Sequence, residues 1–563
     1  MTHRGSPIGR VGLVVFISAI VVTFEGVSGA VRLVPTPEYP TIQAAIDASS
    51  NGDVVIVSEG IYSGPGNRDL NFGGRAITVR STDPNDPNVV AATVIDAGGT
   101  ELENHRGFLF ESGEGPDAVV AGLTIQNGYA VSAGGILIES SSPTITKCTI
   151  ASNTGTGGVC AGGIMCWLAN PMIEYCTITG NSGLGPALAC GGIVTRESSP
   201  TIAYCTITDN FAEGYGGGGC SYLYSNPLFT NCLVANNYAA IDGGGIETWW
   251  STSVRVYNCT ITGNVAHFYG GGLDTCTDTN LDIRNCTITN NVLLEPNGYG
   301  AGVTCWKSST VNLDNCIIWN NSSAHGSQIT MGSEFLLDTP ETVCTLTLNH
   351  CIVRNEPNDI YVDPFDVLIW GEGTVDDDPQ FVDADGPDDD PNTWADNDFH
   401  LSPSSPGVDG GDPNGDYAGQ VDIDGHPRVM PDAGIVDIGS DEFPGAPYFY
   451  TLALTIDKKN LGSVEVEPNL ADLPPLVFPA GSQVVLTAVP VEGKVFDHWE
   501  IYDPNHPGDA NFATIDANEV TSLVMTDDLE VLAVFDCGNT GPAPAAAMVI
   551  GMLTVTLLAR RRR

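Results

Sequence analysis

Residues 258–264 read NCTITGN. Close copies stand at KCTIASN from Lys147, YCTITGN from Tyr175, YCTITDN from Tyr204 and NCTITNN from Asn285. Looser ones are NCLVANN from Asn231, NCIIWNN from Asn315 and HCIVRNE from His350. Their cysteines are Cys148, Cys176, Cys205, Cys232, Cys259, Cys286, Cys316 and Cys351, spaced by 28, 29, 27, 27, 27, 30 and 35 residues. A self-similar period of this size marks a solenoid, in which each repeat is one turn packed on its neighbours. A second row keeps phase with the first. It is the second glycine of a GG(I/V/L) step, at Gly135, Gly163, Gly192, Gly219, Gly245, Gly272 and Gly302. Each unit is therefore one coil with fixed corners.

The coils are built of strands. In PTITKCTIASN the apolar positions are Ile145, Cys148 and Ile150, flanked by threonines that suit a pleated, half-buried surface. The runs are short and punctuated by Gly, Asn and Pro. Alternation breaks at Lys147, which predicts a corner between two strands. Asparagine falls five residues after the cysteine in seven of the eight units, from Asn153 to Asn321, where it suits a left-handed turn or a bond to its stacked neighbour. About three strands per coil and a rise of ~4.8 Å per coil follow from strand geometry. The fold class is all-β, a right-handed parallel β-helix.

These GG(I/V), CTI and Asn rows resemble the pectin-lyase-like β-helix superfamily over roughly residues 38–375. The stretch YPTIQAAIDASSNGDVVIVSEGIYSG, residues 39–64, resembles the start of that group, where a short helix caps the open first coil. A cap is physically required, because an open coil exposes unpaired strand edges.

The rest of the chain divides by composition. Residues 1–30 read as an export signal: His3, Arg4 and Arg10 precede the apolar run VGLVVFISAIVVTF, then Ser28, Gly29 and Ala30 supply small residues for cleavage. The solenoid occupies residues 31–375. Residues 376–446 are acidic, with 19 acidic residues against the single Arg428 between 376 and 442. Their DPQFVD, DFHLSPSSPGVDGGDP and VDIGSDEF strings resemble the closing segment of bacterial secreted β-helix proteins, which implies a C-terminal cap. Residues 447–537 carry GSVEVEP, PAGSQVVLTAVP and GKVFDHW, which resemble the internalin-type B-repeat, a small β-grasp-like module of surface proteins; Phe496 and Trp499 are expected in its core. Residues 538–563 join a Pro/Ala-rich lead, an apolar stretch and four arginines, with Cys537 just upstream. This ending resembles the PEP-CTERM and MYXO-CTERM sorting tails and implies membrane retention; a plain C-terminal anchor is the alternative.

A net charge of -47 excludes nucleic acid and anionic lipid surfaces as partners and attracts cations. Asp383, Asp385, Asp388, Asp422 and Asp424 are candidate calcium ligands, since calcium prefers clustered hard oxygens. No full EF-hand loop is present, and a solvated acidic surface accounts for the same residues. The ordered motifs of a polygalacturonase are absent. The six Lys or Arg between residues 131 and 375 do not cluster, as the proton-abstracting base of a pectate lyase would require. No Gly-x-Ser-x-Gly, phosphate loop or zinc-type histidine set occurs. One constellation stands out. If the residue after GG points inward, the next points outward, which puts Glu247 and Asp274 on one face of adjacent coils. Two residues further along come Trp167, Arg196, Leu223, Trp249, Cys276 and Trp306. Stacked carboxylates beside Trp167, Trp249 and Trp306 fit sugar binding, or glycoside chemistry with Glu247 and Asp274 as the acids. A plain solvent-facing row fits as well.

Export permits disulfides. Identical positions on adjacent coils give parallel side chains ~4.8 Å apart, whereas a disulfide needs converging Cβ atoms ~3.8 Å apart. The cysteine row therefore reads as stacked buried thiols. Cys160 and Cys190, off the row, are the preferred bridge. The function expected first is a noncatalytic exported protein of the cell surface that binds polysaccharide or another surface partner. A polysaccharide lyase or glycoside hydrolase, and a purely structural surface spine, are the alternatives.

Overall fold

The computed structural model describes residues 29–443 except 186–187, 333–338, 340–341, 388–393 and 430–434. Beyond these it describes the strands of a second unit between residues 449 and 536 with a few adjoining positions, and Thr554–Val555. The export-signal run, Asp388, Cys537 and the rest of the tail lie outside the described residues.

One coil illustrates the whole. Thr144–Thr146 runs in a first sheet, A, and Lys147 turns the corner with φ 54°. Thr149–Ala151 follows in sheet B, and Ser152 turns with φ 55°. Thr154–Ala161 forms part of a short sheet D, and Ile164–Trp167 lies in sheet C. Leu168 turns with φ 52° and the chain re-enters sheet A one rung on, at Met172–Glu174. Repetition gives sheets of 13, 11, 10 and 8 strands for A, B, C and D, every rung parallel to the next. The chain is thus a right-handed parallel β-solenoid, with a short fourth sheet beside the three expected.

The two sequence rows have distinct jobs. All eight row cysteines are buried in one continuous core with the isoleucine or valine two residues on. Each thiol turns back to a carbonyl of its own corner, as Cys148 Sγ does to Thr146 O at 3.3 Å. The asparagines form a buried ladder. Asn181 Nδ2 donates to Asn210 Oδ1 at 3.0 Å and to Ile150 O at 2.9 Å, and the same pattern continues through Asn237, Asn264 and Asn291. The left-handed residue is not the ladder asparagine but the one before it, as at Ser152, Gly180 and Asp209. The register also corrects the glycine row. Ile193 pairs with Gly219, so the row residue of that coil is Gly218, and Tyr222 rather than Leu223 follows Arg196.

Cys160 pairs with Ala189, and Ala161 with Cys190. A one-residue offset turns the two thiols to opposite faces of the sheet, and the expected Cys160–Cys190 bridge is not formed: both are free. At the N-terminus the helix Ile42–Asp47 starts at Thr41, whose hydroxyl accepts from Ala44 N, and buries Ile42, Ala45 and Ile46 over the first coil. The strand Val31–Val34 precedes it and begins sheet A.

The acidic segment, expected as a C-terminal cap, lies along the flank of sheet B as a strap. Asn231 Nδ2 donates to Val421 O and Asp422 O at 3.0 and 2.7 Å; Ser440 bonds the hydroxyls of Thr260 and Thr287; Asn315 Nδ2 meets Tyr417 Oη at 2.7 Å. The reason is legible in the outward row of sheet B, which becomes apolar at Ile317 and Ile352. Leu401 and Ile438 of the strap pack there in a separate cluster. Thr260 of NCTITGN is consequently buried rather than facing solvent. Beyond the strap, residues 449–536 form strands of two further sheets, largely antiparallel, with Phe449–Ile456 parallel to Leu529–Asp536. No helix occurs among the described residues of this unit. Phe496 is buried there, and the Trp499 side chain lies outside the described residues. Among the described residues no helix is long and apolar enough to cross a membrane.

Candidate functional site

The strand Ile246–Trp249 sends Ile246 into the solenoid core and Glu247 to the outer side of sheet C. On the next rung Asp274 pairs with Glu247. The expected juxtaposition is present, but not its exposure: Glu247 is 0% and Asp274 3% exposed. The roof is a column of glycines. Gly216, Gly243, Gly270, Gly300 and Gly326 hold φ between 55° and 76°, and each lies four residues before an outward residue of sheet C. A Cβ on Gly243 would stand 2.6 Å from Glu247 Cβ, and one on Gly270 2.3 Å from Asp274 Cβ. Only glycine permits both that backbone conformation and that approach. On the earlier coils the same outward row carries Leu137, Met165, Val194 and Cys220, which form a satellite core with Ala161 and Leu188 of sheet D. The acid pair continues this second layer.

Burial sets the electrostatics. It pushes the Glu247 carboxyl well above the ordinary glutamate range, and the nearby Asp274 and Asp242 push it further. Neither Glu247 oxygen receives a hydrogen bond. Asp274 is also raised by burial, but two donors favour its charged form: the Thr304 hydroxyl, and Trp306 Nε1 at 2.9 Å. Of the two, Glu247 is the one more strongly held in its neutral form, because burial acts on it with no compensating donor, whereas Asp274 has two. Asp242, half-buried beside the roof, accepts from Tyr269 N at 3.1 Å. A pair so arranged titrates as a unit. General acid catalysis requires the acid within hydrogen-bond reach of its substrate, and this pair faces Gly243 and Gly270 instead of solvent.

The three expected tryptophans do not form an open row. Trp306 is buried, with its ring 5.0 Å from Tyr269. Trp167 is half-buried beneath the Arg196 guanidinium, 4.6 Å above its ring. Trp249 is half-buried between Tyr215 and Trp250, at 4.8 and 5.0 Å. At the corner after sheet C, Trp250 is 40% and Tyr224 69% exposed, with Leu168, 51% exposed, on an earlier coil. All three are left-handed, at φ 56°, 59° and 52°. The sequence signal was available for Leu168 and Trp250, bulky residues directly after a sheet C strand; Tyr224 stands one residue further on.

The candidate calcium ligands do not converge. Asp422 is fully buried and accepts the backbone N–H groups of Asp424, His426 and Glu442. Asp383 ends the strand Phe381–Asp383 and Asp385 is in the turn after it; neither joins a group of potential metal ligands among the described residues. Asp424 does, but with His400 and Asp441. Arg428 is buried against Glu442 at 3.1 Å, and its guanidinium reaches the Gly439 carbonyl at 2.7 Å. No local sequence pattern links His400 with Asp441 or Arg428 with Glu442, because only the folding of the strap brings them together.

No curated protein matches this sequence. Among solved structures, the crystal structure of pectate lyase Pel9A is similar at 14% identity and a TM-score of 0.42, over 71% of this chain and 90% of that one. The family described as the right handed beta helix region matches residues 94–242 and 191–339, the stretch that carries most of the coil repeat.

Proposed function

We propose that the protein is a noncatalytic polysaccharide-binding solenoid, exported and held at the cell surface, which takes its ligand along the ridge following sheet C. One observation carries this reading: the carboxyl pair is sealed under its glycine roof while Trp250 and Tyr224, on adjacent coils, stand in solvent. Flat, partly polar rings on adjacent coils, offset by one residue, suit contact with a sugar chain. A net charge of -47 favours a neutral or amino-sugar polymer over a polyuronate. The export signal, the sorting-type tail and the B-repeat-like unit enter the reading as the means of delivery, retention and spacing.

The test is binding of the pure chain to a polysaccharide array, beside assays for new reducing ends and unsaturated products. Trp250→Ala is expected to weaken binding by up to about tenfold, as loss of one stacking ring does, while Glu247→Gln leaves it unchanged. Product release that vanishes in Glu247→Gln would sink this reading in favour of an enzyme. Absence of both binding and turnover would leave a structural spine.

A further inference from the structure

The strap that runs along sheet B holds a second constellation. His400 lies on the strand Asp398–Leu401, Asp424 in the turn after residue 421, and Asp441 beside Ser440. One ligand atom from each lies within 4.8 Å of the other two. His400 Nδ1 meets the Asp398 carboxylate in a short contact, which fixes the ring so that Nε2 faces the other two acids. Nε2 stands 2.6 Å from Asp424 Oδ2 and 4.0 Å from Asp441 Oδ1. Asp441 is buried, and only its Oδ2 accepts a hydrogen bond, from Leu401 N at 3.3 Å. Its Oδ1 is aimed at the imidazole from too far away to bond it.

A tetrahedral ion with bonds of about 2.0–2.1 Å needs neighbouring ligands about 3.3–3.4 Å apart. The 2.6 and 4.0 Å separations bracket that distance. Imidazole with carboxylates suits a borderline cation such as zinc better than calcium, which prefers oxygen alone. An orienting carboxylate on the far ring nitrogen is the usual companion of a metal-binding histidine. His400 and Asp424 are exposed, which leaves water free to complete the coordination.

We infer that His400 Nε2, Asp424 and Asp441 form a divalent transition-metal site, oriented by Asp398, which ties three passes of the strap together. The ion would lock the segment that sets Leu401 and Ile438 on Ile317 and Ile352, and Ser440 on Thr260 and Thr287. The site is remote in sequence from the aromatic ridge and independent of the proposed glycan.

The experiment strips the purified full chain with chelator, reloads it with zinc, manganese or calcium chloride separately, and measures bound metal after gel filtration. Expected is one tightly held zinc per chain that is lost in both His400→Ala and Asp424→Asn, together with a zinc-dependent rise in Tm present only in the wild type. Because the acidic surface binds cations loosely, the difference between wild type and variants is the reading. Equal zinc content in wild type and both folded variants would overturn the inference. So would a wild type that retains no zinc, which would leave a protonated His400 held by three carboxylates as a purely ionic latch.

Discussion

Replacing Asn237 with alanine tests whether the asparagine ladder carries the stability of the coils. The side chain is fully buried and makes four hydrogen bonds. It donates to Ile207 O and Asn264 Oδ1, both at 2.9 Å, and accepts from Asn210 N at 3.1 Å and Asn210 Nδ2 at 2.9 Å. After substitution Asn264 Oδ1 still receives the Asn237 N–H at 3.0 Å, and Asn210 Nδ2 still reaches Ile178 O at 2.9 Å. The Asn210 N–H and the Ile207 carbonyl lose these partners inside the core. Each net bond contributes about 1 kcal/mol and an orphaned buried group costs about 1–3 kcal/mol, so the loss comes to roughly 3–5 kcal/mol. A solenoid opens locally rather than all at once, so hydrogen exchange followed by mass spectrometry is the suitable assay. The Asn210 amide and its neighbours on the adjoining coils should exchange about a hundredfold faster or more, at one decade per about 1.4 kcal/mol. The N-terminal coils should stay protected. Asn153→Ala, at the end of the ladder where Oδ1 accepts only from Gly128 N, should cost less. Unchanged protection at Asn210, or loss spread evenly over the whole solenoid, would refute the reasoning.

Glu247 has a raised carboxyl pKa, so the native state holds a proton that the unfolded chain releases above the ordinary value of 4.5. Stability should be greatest below that value and fall as pH rises toward the folded one, by about 1.4 kcal/mol per pH unit for one proton. Urea unfolding at several pH values, followed by tryptophan fluorescence, should give a shallower pH dependence for Glu247→Gln; identical slopes would count against a protonated Glu247. Gly243→Ala combines a φ of 70° with a Cβ 2.6 Å from Glu247, and should destabilise the roof by about 2 kcal/mol or more, read as faster exchange of the sheet C amides. Burial pushes the Cys166 thiol to about 12. Cys166 and the eight row cysteines are buried, so a thiol reagent should leave them unmodified in the native chain and label them on unfolding; native labelling of Cys205 would contradict the buried stack.

Much of the architecture was legible because a solenoid repeats its local chemistry. The Lys147 break marked a true corner, Cys259 and Ile261 a true core row, and Asn264 a true ladder position, since each depends on contacts with the same position one rung away. The alternation of strand residues also placed Glu247 and Asp274 side by side on the outer face of sheet C. Alternation tells which face of one sheet a side chain occupies, but not what lies on that face. The glycine column that seals the pair lies just before each sheet C strand, outside the alternation itself, and the strap that buries Thr260 comes from far along the chain. Asn231 meets Asp422 across 191 residues, and Thr260 meets Ser440 across 180. No local period encodes such contacts. The sequence by itself determined the coil, its corners and its inner core, because those are set by steric preference and hydrophobic alternation within one repeat. Only the tertiary structure decided which outward residues stay wet, because exposure depends on long-range packing. For that reason Thr260 is covered by the strap, Trp250 and Tyr224 keep exposed surface, and His400 meets Asp424 and Asp441.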